Sequence, residues 1–232
     1  MNSTRTTTGI LLIAVPLIFA AGFSGLQASF GYPDILRHPA ADVLTRFAAA
    51  GVDVHLYWYA MFAAALGLIP ASLGLGVLSF RTSGMLAAAV AGFGLLAGLV
   101  QALGLLRWVM LVPGLSATYV ATGASDLDRA LAIAMFDAAN HYLGMGVGEH
   151  LGYFFTGLWT AGVAILIWSS WRPLAVVGLG LALGIVVGML EPFGVAGAGT
   201  INAISFSGWA LWALTLGIML LRRAPAALPQ MA

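Results

Sequence analysis

Residues 54–113 read VHLYWYAMFAAALGLIPASLGLGVLSFRTSGMLAAAVAGFGLLAGLVQALGLLRWVMLVP. The only Arg, Lys, Asp or Glu in this run are Arg81 and Arg107. A hydrocarbon core about 30 Å thick needs roughly 20 apolar residues at 1.5 Å each, so the run is too long for one crossing. It reads as two spans, about 54–80 and 85–113, folded back at the polar turn Arg81-Thr82-Ser83-Gly84. No alternating pattern of a membrane barrel is present, and helices are the spanning form that satisfies every backbone group in lipid.

Working outward, four more stretches are long and apolar enough to span: about 9–30, 148–168, 173–190 and 201–221. The reading is an all-α membrane protein, a single bundle of six transmembrane helices over 1–232. Short interfacial helices are expected in the first two outer loops. Arg5 ahead of the first apolar run also fits a signal peptide, but the run is long for one and is read as a retained helix.

Composition agrees. The chain of 232 residues is 61% hydrophobic and 7% charged, with mean hydropathy +1.01. An average soluble domain carries roughly 25% charged residues, and 7% cannot coat a water-facing surface. The lipid bilayer is therefore the expected partner. Net charge is +1, with no basic run beyond Arg222-Arg223, so nucleic acid is not an expected partner. Cysteine is absent, which excludes disulfides, thiolate metal sites, iron–sulfur clusters and covalently attached haem.

With the N-terminus inside, the inner segments hold Arg5, Arg81, Arg172, Arg222 and Arg223, against Arg37, Arg46 and Arg129 outside. This bias favours both termini in the cytoplasm. In the first outer loop Val43, Leu44 and Phe47 share one helical face, and that piece is expected at the interface. In the second, Ser125 and Asp128 have capping-box spacing, so a helix is expected to begin near Asp126. Spans two and four both begin with aromatics, Tyr57-Trp58-Tyr59 and Tyr153-Phe154-Phe155, and both end at an Arg-bearing turn. The two hairpins read as a weak internal repeat.

This topology places all four histidines and nearly all carboxylates at the outer face. Ionisable groups within spans are costly and face a bundle interior or a wet space. An outer polar vestibule is expected, with Arg107, Glu149, His150, Tyr153, His55, Tyr59 and Glu191 as ligand-binding candidates. Residues 140–153, NHYLGMGVGEHLGY, are its densest part. On one α-helix, Asp137, His141, Gly144, Gly148 and Gly152 share a sector. The glycines Gly144, Gly148 and Gly152 then form a small-residue seam for close helix packing. The Asp137 carboxylate, four residues before His141, is placed to orient its imidazole. His141 and His150 point about 180° apart at 100° per residue. They share a metal, with Glu149, only if the helix breaks among Gly144, Gly146 and Gly148. Glu149-His150 lacks the HExxH arrangement, and no nucleophile motif occurs.

Gly31-Tyr32-Pro33-Asp34-Ile35-Leu36-Arg37, Trp58-Tyr59, Leu106-Arg107-Trp108 with Pro113, and Gly148-Glu149-His150-Leu151-Gly152-Tyr153 together resemble the bacterial membrane proteins of domain of unknown function 4386. The resemblance implies a compact multi-span helical protein of the bacterial inner membrane and implies no particular activity.

Three functions fit the sequence. The first is a protein that binds or transports a small molecule through the outer vestibule. The second is a membrane oxidoreductase holding haem or a metal through histidines. The third is a non-catalytic structural or accessory subunit.

Overall fold

The structure is a computed structural model and describes residues 2–222; Arg223, assigned to the inner side above, lies outside them. The described residues contain no strand. The helices are α1 (Asn2–Phe30), α2 (Ala40–Ala49), α3 (Gly51–Leu106), α4 (Val112–Val120), α5 (Asp126–Ala139), α6 (Gly152–Leu166), α7 (Arg172–Val187) and α8 (Ala198–Arg222). Tight 3-10 turns occupy Asp34–Arg37 and Gly188–Phe193, and wider π-helical windings occupy Arg107–Leu111 and Asn140–Leu151.

Four helical stretches are long and apolar enough to cross a membrane: Ser3–Phe30, Gly51–Val120, Arg172–Phe193 and Ala198–Arg222. The second covers 70 residues. It is broken at Ser83, whose φ of −149° and ψ of 53° are not helical. The break falls inside the expected turn Arg81-Thr82-Ser83-Gly84, where small and polar residues end two apolar runs. The stretch read as a span at 148–168 is different. Its α part, α6, has 15 residues, and the turns before it are π-wound.

The chain divides into two compact units. Among the described residues, one comprises 2–17, 65–100 and 150–222. Its helical segments pack side by side through glycines. A Cβ on Gly74 would meet Thr8, one on Gly162 would meet Val90, one on Gly157 would meet Val186, and one on Gly178 would meet Trp212. Gly217 faces the Gly9 carbonyl and closes the circuit from α8 to α1. Small residues at such seams let helices approach where lipid supplies no hydrophobic drive. Leu12, Leu68, Trp159, Ile185, Trp212 and Leu216 fill the centre. The buried hydroxyls bond backwards along their own helices, Ser72 to the Leu68 carbonyl (2.7 Å) and Thr160 to the Thr156 carbonyl (2.7 Å). Trp209 Nε1–H donates to Thr160 Oγ1 at 2.9 Å.

The other unit comprises residues 18–64 and 101–149. Its core is aromatic. Trp58 and Trp108 stack with ring centroids 4.4 Å apart and planes 2° from parallel. Phe30, Phe47 and Phe136 present ring contacts to Trp108 at 5.8–6.0 Å. α2 forms where the sequence placed an amphipathic piece, but its apolar face is not offered to lipid. Val43, Leu44 and Phe47 are buried in this aromatic core. The same amphipathic pattern suits a bilayer interface and a protein interior, and the rings of Phe30 and Trp108 are the nearer apolar partner. Ser125 and Asp128 form the expected capping box at the start of α5, with the Ser125 N–H donating to Asp128 at 2.9 Å and the Asp128 N–H donating to Ser125 at 3.2 Å.

Candidate functional site

Arg107 is the one charged residue among the buried polar side chains of the described residues, at 7% exposure. It opens the π turn Arg107–Leu111 at the end of α3. Its Nη1–H donates to the Gly104 carbonyl at 2.5 Å, and its Nη2–H donates to Asn140 Oδ1 at 3.2 Å. The guanidinium carbon lies 5.3 Å from the Trp108 ring centroid, a cation–π distance. Its Nε–H is buried without a hydrogen-bond partner among the described residues. Glu149 acts electrostatically on both Arg107 and Tyr32, so the three groups form one cluster. A buried cation stays charged where a carboxylate and bonded acceptors replace water, which is the arrangement here.

The chain reaches this arrangement through small residues. A Cβ on Gly144 would stand 2.6–2.7 Å from the Arg107 guanidinium, and one on Gly104 would stand 2.6 Å from Gly148 Cα. At Gly104 the close atom is backbone, so no larger residue fits while the two segments keep this spacing; at Gly144 a larger residue would have to displace the Arg107 guanidinium. At Gly144 and Gly148 the facing segment is Gly104–Arg107. Gly152 is buried, one residue beyond the π winding.

Tyr32 follows the left-handed Gly31 (φ 77°), a conformation that favours glycine. Its ring packs edge-on to Phe23 and to Trp58, at 5.2 Å in each case. Burial of the phenol pushes its pKa up to about 12; the negative Glu149 adds to the rise and Arg107 opposes it. The phenol is a neutral donor across the physiological range.

The remaining candidates distribute unevenly. His55 is partly buried, edge-on to Phe47 at 4.8 Å, with Nδ1 3.1 Å from the Gly51 carbonyl. Tyr59 is 53% exposed and meets Phe62, so it turns away from the Arg107 cluster. Its neighbour Trp58 takes the inward position because successive helical residues are rotated by about 100°. His150, Tyr153 and Glu191 belong to the other compact unit. There Tyr153 packs on Phe206 at 5.6 Å. The Glu191 carboxylate stands over Gly199 in the first turn of α8, where the helix dipole favours negative charge.

Two readings of residues 140–153 change. The backbone does not break at its glycines; it stays helical from Asn140 to Leu151 but is wound wider. The break that a shared metal on His141 and His150 required is absent. No group of three or more His, Asp or Glu among the described residues is arranged to hold a metal ion. His141 is exposed rather than in the packing seam, and its Nδ1 lies 2.8 Å from the Asp137 carbonyl, not the carboxylate. In a helix the carbonyl of residue i lies beside residue i+4, closer than the side chain of residue i.

Tyr32, Gly104 and Asn140 are parts of the cluster that the ligand candidates above lack. The sequence signal for Gly104 was its spacing of three from Arg107, which puts glycine and arginine on one helical face. Tyr32 lies in the Gly31–Arg37 stretch that carries the resemblance, but nothing in that stretch points to Glu149.

A family model described as "Domain of unknown function (DUF4386)" matches residues 7–224. No curated protein and no solved structure matches the chain.

Proposed function

The chain belongs to the DUF4386 family, and we propose that it binds a small, largely apolar molecule through a hydrogen-bond-accepting group held at Arg107. The observation that carries this reading is the buried guanidinium whose Nε–H has no protein acceptor. An unmade bond costs a buried neutral group on the order of 1–3 kcal/mol and a charged donor more, and a bound acceptor would recover it. Glu149 and Tyr32 supply a carboxylate and a neutral donor beside it. Both segments that meet here are π-wound, a geometry that is rare and found frequently at functional sites.

In this reading the chain makes six crossings, with the Ser83 turn and the turn before α7 inside. Both termini are cytoplasmic and the membrane is a bacterial inner membrane. Arg107 and Glu149 then lie toward the outer side, with His55 near and His150 and Tyr153 on the same stretch of chain. Movement of the bound molecule across the membrane is the transport form of the same proposal.

Native mass spectrometry of protein purified in detergent tests it. Wild-type protein carries a co-purifying small molecule, Arg107→Leu loses it, and Glu149→Gln holds it at least tenfold more weakly. Identical spectra from wild type and Arg107→Leu, with both folded, would sink the proposal. If Glu149→Gln and His150→Ala only lower the melting temperature, the polar cluster serves the fold and an accessory role is the better reading.

A further inference from the structure

The two hairpins suspected of being a repeat are equivalent in detail. Ser83 (φ −149°, ψ 53°) and Trp171 (φ −144°, ψ 57°), 88 positions apart, turn the chain with nearly the same backbone angles. At the same offset of 88, buried positions coincide along both arms: Leu68 with Thr156, Ala71 with Trp159, Leu75 with Val163, Ala87 with Ala175, Val90 with Gly178, and Ala97 with Ile185. Ser72 and Thr160 also correspond, and each bonds the carbonyl four residues back. The Ile69–Gly98 contact reappears as Gly157–Val186, with the large and small partners exchanged.

Upstream the register changes by one residue. In the first copy Gly22 faces Met61, and Gly25 faces the Tyr57 ring. In the second, Gly104 faces Gly148, and Arg107 faces Gly144. The spacings match: three residues separate Gly22 from Gly25 and Gly104 from Arg107, and four separate Tyr57 from Met61 and Gly144 from Gly148. This matches Met61 to Gly148, an offset of 87, whereas Ala64 matches Gly152 at 88. Phe62-Ala63 in the first copy is thus replaced by Glu149-His150-Leu151. The first copy is α-wound here and the second is π-wound. A π turn absorbs one extra residue without rotating the flanking helix by the roughly 100° that an insertion otherwise imposes.

We infer that the one extra residue within Glu149-His150-Leu151 is an addition to a duplicated hairpin framework that closes without it, and that Glu149, the carboxylate this stretch brings in, determines what the Arg107 site accepts. This rests on the binding reading above. In the first copy the positions are filled by apolar side chains, so the fold does not require a carboxylate or an imidazole there. Arg107 occupies the space that the Tyr57 ring fills in the first copy, reached from the opposite helix.

The test restores the first copy's pattern. In an Arg107→Leu background, which leaves no buried cation without Glu149, Glu149→Phe and His150→Ala are combined with deletion of Leu151. The control carries the same substitutions with Leu151 kept. Melting is followed in detergent by tryptophan fluorescence. The shortened chain is expected to fold and to melt no more than about 5 °C below the control, a shift of roughly 1–2.5 kcal/mol for a chain of this size. Any larger loss, or failure of the shortened chain to fold, overturns the inference because the fold then demands the extra residue. Failure of the control or of Arg107→Leu alone overturns it too, because the polar residues are then framework. Ligand retention is scored separately on wild-type protein. A framework that tolerates the shortening while wild type carries no ligand rejects the binding reading and leaves the insertion standing.

Discussion

At the scale of single residues the protein turns on one buried cation and its neighbours. Arg107 keeps its charge because Gly104, Asn140 and Glu149 replace the water it has lost. Tyr32 reports on this cluster from outside the spanning segments. Its pKa is raised to about 12 in the fold, against about 10 in an unfolded chain. The fold favours the neutral phenol, so the contribution is complete below about pH 10 and is lost as pH rises toward 12. Wild-type protein should therefore lose more thermal stability between about pH 10 and 12 than Tyr32→Phe does. Absorbance titration should show a phenol ionisation near pH 12 that vanishes in Tyr32→Phe and moves to lower pH in Glu149→Gln. Equal alkaline losses in the two proteins would show that the phenol is not held neutral. Arg107 and Glu149 were legible as candidates because ionisable residues are rare in an apolar chain. Tyr32 stood only in the stretch that carries the resemblance, since a tyrosine in a loop carries no mark of the carboxylate that the fold brings near it.

At the scale of elements, glycine seams decide which helices meet and how closely. Gly104 and Gly148 bring backbone against backbone, and a Cβ on Gly104 would stand 2.6 Å from Gly148 Cα. Neither backbone can yield by a rotamer change, so Gly104→Ala should destabilise by about 1–3 kcal/mol, the usual cost of overpacking. Gly92 lies on the same long α3 and a Cβ there would meet nothing within 4 Å. Gly92→Ala should be neutral or stabilise by about 0.5–1 kcal/mol through helix propensity. Thermal melts of the two variants in one detergent compare them; equal effects would remove the seam from the account. The Gly144-Gly148-Gly152 spacing announced a seam in the sequence, because small residues four apart line one face of a helix. The π winding of the same stretch was not announced. The residues of such wide turns carry no composition of their own.

At the scale of the molecule, two compact units are made from interleaved segments: α1 and α3 each contribute to both. The proposed six-crossing topology is open to a direct check, because the chain has no cysteine. Thr82→Cys at the first turn and Gly123→Cys before α5 are both at exposed positions. A membrane-impermeant maleimide on intact cells should label Gly123→Cys, and should label Thr82→Cys only after lysis. The reverse pattern would invert the orientation, and labelling of both from outside would break the span count. The sequence by itself determined that the chain is helical and apolar enough to cross a membrane, where its first hairpin turns, and where α5 is capped. These follow from local terms: hydropathy summed over a run, a polar turn, and hydrogen bonds between residues three apart. It also marked Arg107 and Glu149 by their rarity. Only the tertiary structure decided that α2 buries its apolar face in protein, that Tyr32 joins Arg107 and Glu149, and that residues 140–151 wind as a π-helix. Each of these depends on which surface arrives opposite a segment, and residues far apart in the chain supply that surface.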